Sequence, residues 1–167
     1  MTLAELNALD EAAARERLLL CCGSQAWAQG VAARRPFASR EALLSAADDQ
    51  WGRASRADIL EAFAHHPRIG GKDALREKFA ATRAWAQGEQ GKVAAASEET
   101  LEALSRGNED YERRFGHIFI VCASGKSAEE MLALLRARLP HEPAEELAVA
   151  AAEQAKITRL RLEKLLA

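Results

Sequence analysis

Apolar positions recur at helical spacing along most of the chain, and the interruptions fall on residues that cap or break helices. Asp10 can cap a helix from Glu11 to about Cys22, with Gly23 as its stop. Ser24 opens a second that runs to the Arg35-Pro36 break, and Ser39 opens a third through Trp51. Ser55 with Asp58 resembles a capping box for a fourth, which ends at His65-His66-Pro67. A fifth covers Asp73 to about Trp85, after which Gly88 and Gly91 bracket Glu89-Gln90 at a kink or helix junction. Ser97 starts a helix to Phe115, stopped by Gly116, and Ser127-Ala128-Glu129-Glu130 is a capping box for one to Leu139. Pro143 suits the first turn of a last helix through Leu166. In that helix the pattern predicts a packed face of Leu147, Ala151, Ala155, Ile157, Leu160, Leu162 and Leu165.

One segment departs from the helical period. Phe119-Ile120-Val121-Cys122-Ala123 is a β-prone apolar run, too short for a helix of its own. With no partner strand, an extended stretch here leaves N–H and C=O groups that need partners, and an amide-rich ligand would supply them. The alternatives are an isolated buried strand or the start of the next helix. Abundant alanine and few β-branched residues point the same way as the caps. The expected fold is an all-α, single-domain bundle of about eight helices over residues 1–167, with a short extended apolar segment at 119–123.

Charge and composition narrow the function classes. A net charge of -2 without a basic block argues against nucleic acid. No apolar run approaches the roughly 20 residues of a membrane span, and Glu5 does not suit a secretory leader. Cys21, Cys22 and Cys122 lack metal-ligand spacing and read as buried thiols, which fits a cytoplasmic protein.

The richest local motif is Ala64-His65-His66-Pro67-Arg68-Ile69-Gly70-Gly71. Pro67 ends the helix and pushes His66 out of the helical region, and an imidazole fixed at such a break can act as acid or base near neutral pH. The bland alternative is a helix stop with a solvated histidine. Glu61 and His65 share a helix face, but two groups fall short of a zinc site, so no metal is expected. Cys122 has no neighbour to lower its pKa and reads as packing rather than nucleophile. A small-molecule acid–base site would combine His66, Glu89, the backbone of residues 119–123 and Arg161. Arg159 and Arg161 point about 200° apart, so at most one enters a pocket. Spacing alone does not join these segments.

A resemblance does. Arg35-Pro36-Phe37, His66-Pro67-Arg68-Ile69-Gly70, Gly88-Glu89-Gln90, the run from Asn108 to Gly116, the run from Phe119 to Ser127, Arg138-Leu139, Lys156-Ile157 and Arg161-Leu162 occur in the order of one family. The chain resembles the decarboxylases that act on 2-oxo-4-hydroxy-4-carboxy-5-ureidoimidazoline, abbreviated OHCU, in urate degradation. The resemblance implies a cofactor-free, all-helical homodimer that makes (S)-allantoin and carbon dioxide from a small ureidoimidazoline. By matching position, His66 and Glu89 are the implied catalytic pair. Pro67, Gln90, the backbone of Phe119, Ile120, Val121, Cys122 and Ala123, and Arg161 are the implied substrate contacts. The family often has Ser three residues before the Glu, and here that position is Ala86. One hydroxyl contact is thereby lost, worth about 0.5–1.5 kcal/mol. The competing class is a non-enzymatic helical interaction module, since long Ala/Leu helices with charged faces also bind other helices.

Overall fold

The structure, a computed structural model, describes residues 1–67, 73–79 and 97–167. Among them there are helices and connecting segments but no strand. The helices are α1 (Leu3–Ala8), α2 (Glu11–Leu19), α3 (Gln25–Ala32), α4 (Arg40–Gly52) and α5 (Arg56–Ala64). They continue with α6 (described over 73–79), α7 (Glu98–Phe115), α8 (Ala128–Arg138) and α9 (Pro143–Leu165). Asp10, Ser24, Ser39, Ser55 and Ser97 cap the helices expected of them, each accepting a backbone N–H. Ser55 and Asp58 form the full reciprocal box. At Ser127 the hydroxyl accepts the Glu130 N–H, one half of the box expected there. Gly116 ends α7 at φ 78°, a left-handed cap that glycine adopts without a Cβ clash.

Two elements differ from the sequence expectation. α1 is additional, six residues held by a Thr2/Glu5 capping box and too short for periodicity to reveal. Gly23 does not terminate α2, which ends at Leu19 with Leu20 as its cap. Its importance is proximity. A Cβ built on Gly23 would lie 2.3 Å from His65 Cβ and 2.4 Å from its Cγ. The α2–α3 turn therefore runs against the root of the residue before His66.

The chain divides into two compact units. The first comprises Met1–His66, Ile120–Cys122 and Val149–Ala167. Its core packs Leu6, Leu18, Trp27, Val31, Leu43 and Leu162 with their neighbours, all buried. Indole N–H groups tie it together, Trp27 donating to Ala47 O at 3.0 Å and Trp51 to Ala151 O at 2.9 Å.

The second unit comprises Pro67–Phe119 and Ala123–Ala148. There α7 packs on α8, with Gly107 under Leu135. A buried polar cluster lies among them. Glu146 receives Tyr111 Oη–H at 2.5 Å and three Arg138 contacts of 2.7–3.0 Å, while His141 Nδ1 sits 3.3 Å away. Arg138 also lies over the rings of Phe119 and Tyr111.

The face expected to bury α9 is corrected by the structure. The buried positions are Glu146, Ala150, Gln154, Thr158, Leu162 and Leu166, each four residues from the last. Of the predicted apolar face only Leu162 is buried, and Leu160 is exposed. Hydrophobicity misplaced the face because half of the buried stripe is polar.

Candidate active site

His66 sits where the sequence places it, two residues past the last helical residue of α5. Glu61 secures that helix against α3 by accepting Gln25 N–H at 2.6 Å, and its own carbonyl oxygen meets His65 Nδ1 at 2.9 Å. Both members of the Glu61/His65 pair are thus engaged locally. No group of three metal-ligating side chains occurs among the described residues. His66 itself is half-buried, and its Nε2 is hydrogen-bonded to Gln154 Oε1 of α9.

α9 is the platform of the first unit's site. Gln154 and Arg161 are seven residues apart, so at about 100° per residue they project within about 20° of each other. Arg161 is half-buried and makes no ion pair among the described residues, whereas Arg159 is half-exposed and faces Asp48 and Glu163 at 3.6 Å. Arg161 acts electrostatically on His66, Cys21 and Cys22. Burial holds the His66 imidazole below its ordinary 6.5, Arg161 and His65 push the same way, and the Gln154 hydrogen bond offsets part of this. The resting ring is neutral at neutral pH, ready to accept a proton.

Residues 118–123 belong to no helix or ladder. The expectation that their backbone groups need outside partners is met in one case by the protein itself. Cys122 N–H donates to Glu153 Oε1 of α9 at 3.2 Å, and Lys156 holds the other oxygen of Glu153 at 2.5 Å. Ile120, Val121 and Cys122 belong to the first unit with His66 and Arg161, and Pro67, Phe119 and Ala123 to the second. Ala86, Glu89 and Gln90 lie outside the described residues.

The cysteines are partly as expected. Cys21 and Cys22 are buried, and burial pushes the Cys21 thiol up to about 11 and raises Cys22 too. Cys122 is only half-buried, a correction, because its segment runs outside any helix and is not closed over on all sides.

Gln154, Thr158 and Glu153 were not among the predicted site residues. A signal for the first two exists in the sequence: polar residues at i, i+4 and i+7 (Gln154, Thr158, Arg161) on one face of an Ala/Leu-rich helix.

Comparison with known proteins gives this arrangement a family. A sequence profile described as OHCU decarboxylase matches residues 7–163. The uric acid degradation bifunctional protein TTL of Arabidopsis thaliana is 38% identical over 148 residues, which are 87% of this chain and 45% of that protein. The chain thus spans about half the length of that relative. The 2-oxo-4-hydroxy-4-carboxy-5-ureidoimidazoline decarboxylase of Amia calva is 33% identical over 144 residues, 83% of this chain and 79% of that one. A crystal structure of OHCU decarboxylase in the presence of (S)-allantoin superposes with TM-score 0.73 and 34% identity, covering 90% of this chain and 97% of that one. The reading as a non-enzymatic interaction module is set aside by these matches. An all-helical chain with His66 and Arg161 anchored on α9, matched by the family over nearly its whole length, belongs to the OHCU decarboxylase family.

Proposed function

We propose that this chain decarboxylates OHCU to (S)-allantoin, with His66 as its general acid–base. The observation that carries the reading is the pairing of a neutral, half-buried imidazole with a nearby guanidinium that no carboxylate of the described residues neutralises. An anionic, oxygen-rich substrate suits that pair.

The substrate supplies its own electron sink, a ring C=N next to the carbon that bears the carboxylate, so the chemistry needs no organic cofactor. As the bond to the carboxylate breaks, its electron pair forms a C=C bond and the imine π pair moves to nitrogen, which takes a proton. The resulting enol loses its hydroxyl proton and gains one on carbon, on one face only. His66 is the group that can accept the first and deliver the second. Arg161 contacts a ring or ureido oxygen in this reading, since pairing with the departing carboxylate would stabilise the ground state and slow its loss. The resemblance assigns the remaining substrate contacts to Glu89, Gln90, Pro67 and the backbone of 119–123.

The reading extends to a homodimer in a reducing cytoplasm, which its cysteines, half-buried or buried, suit; light scattering tests the first part. The test of function is circular dichroism on freshly generated OHCU. Formation of (S)-allantoin faster than spontaneous decay is the expected result. Racemic product at the spontaneous rate would refute the proposal.

A further inference from the structure

The hydrogen bonds behind His66 run in one direction. His66 Nε2 meets Gln154 Oε1, and Gln154 Nε2–H donates to Thr158 Oγ1 at 3.1 Å. A carboxamide oxygen only accepts, so the ring nitrogen that faces it must carry the hydrogen. Gln154 is fully buried and Thr158 nearly so, and such groups must find their partners inside the protein. Turning the carboxamide over would aim its NH2 at Nε2. It would also aim Oε1 at Thr158 Oγ1, so both bonds of the observed arrangement would be replaced. The observed order satisfies every member at once.

We infer that Gln154 is a positioning residue that holds neutral His66 as the Nε2–H tautomer, leaving Nδ1 as the nitrogen that moves the substrate's proton. The inference rests on the proposed catalytic role of His66 and adds to it the atom and the residue that selects the atom. Without Gln154 a neutral imidazole distributes its hydrogen between both nitrogens, and the fraction with a bare Nδ1 falls. The inner end of the chain is the buried Thr158 hydroxyl, so it terminates in a fixed, uncharged group.

The test uses the full chain labelled with 15N, with His66 ring signals assigned by difference from His66→Asn. At about pH 8, well above the ordinary imidazole value, long-range proton–nitrogen correlations should show a protonated Nε2 and a bare Nδ1. Gln154→Leu should mix the tautomers and lower kcat about tenfold with KM little changed, the worth of one neutral hydrogen bond. Thr158→Val, which keeps the side-chain shape and removes only the partner of the carboxamide N–H, should do the same more weakly. A hydrogen on Nδ1 in the unaltered protein overturns the inference, and this measurement needs no variant to fold. An unchanged tautomer in folded Gln154→Leu overturns it as well. If instead Nε2–H is found but His66→Asn keeps full turnover, the catalytic role of His66 fails and takes the Nδ1 assignment with it, while the tautomer stands.

Discussion

Each unit buries a set of polar side chains, and the two sets are built differently. In the second, Glu146, Arg138, Tyr111 and His141 form a charged cluster in which Arg138 and Glu146 are both buried and directly paired. Burial pushes the Glu146 carboxyl up, yet hydrogen bonds from Arg138 and Tyr111 outweigh it and hold the group below the usual carboxylate range. In the first, Gln154 and Thr158 form a neutral chain whose outer end is a half-buried histidine. A closed cluster of charges fixes structure. A neutral chain that ends on a titratable group, beside a cation without a described counter-charge, leaves that group free to change protonation state. The contrast separates polar burial that holds a fold from polar burial that serves chemistry.

The sharpest way to break the contrast is to remove one member from each set. His66→Asn should lower kcat by about 10²–10⁴, the usual worth of a positioned acid–base group, and leave the thermal midpoint nearly unchanged. Steady-state kinetics with a melting curve checks both. Arg138→Ala should do the reverse. It strands the buried Glu146 carboxylate, which costs about 3–5 kcal/mol of stability, and the folded fraction should turn over normally. Urea unfolding reads the loss. A stable, inactive Arg138→Ala protein would move that cluster from structure to chemistry.

The two sets were not equally legible in the sequence. Caps such as Asp10, Ser39 and Ser97 act through bonds within four residues, so local pattern placed most helix starts correctly. The break at His66-Pro67 is equally local. The partners of His66 are not. Gln154 lies 88 positions away, and hydrophobic patterning drew attention to Leu160, which is exposed, rather than to Gln154 and Thr158, which are buried. Only the resemblance to a family tied Arg161 to His66 in advance. Gly23 was legible as a special position but for the wrong reason. A stop and a close approach give the same letter, and only the packing of His65 tells them apart.

Glycine substitutions sharpen the same comparison at smaller cost. A Cβ on Gly23 meets the root of His65, which cannot move without its backbone, whereas a Cβ on Gly107 meets Leu135 Cδ2 at 2.3 Å, the far end of a flexible side chain. Gly23→Ala should therefore displace the end of α5 and cut turnover through His66, with an overpacking cost of about 1–3 kcal/mol. Gly107→Ala should cost less, because Leu135 can change rotamer and alanine favours the helix, and it should leave kcat unaltered. Equal loss of kcat in both would show that the position of His66 does not depend on the α2–α3 turn.

The smallest expected effect separates the two sets by pH. His66 has its folded pKa lowered from 6.5, so below that value the unfolded chain takes a proton that the folded protein refuses. Stability from this site is complete above 6.5 and is lost as pH falls toward the folded pKa. Glu146 is lowered from 4.5, so its contribution is complete above 4.5 and drains only in stronger acid. Urea midpoints should thus decline in two windows, and His66→Asn should abolish the upper one alone. Catalysis should follow the same ring, with the acidic limb of kcat/KM falling below 6.5. Burial is the leading cause, and Arg161 and His65 are the charges that add to it. Arg161→Gln removes one of them and should shift the limb upward by a fraction of a pH unit. An unmoved limb would mean that Arg161 does not act on the imidazole, and the open, titratable end of the first unit would lose one of the two groups that define it.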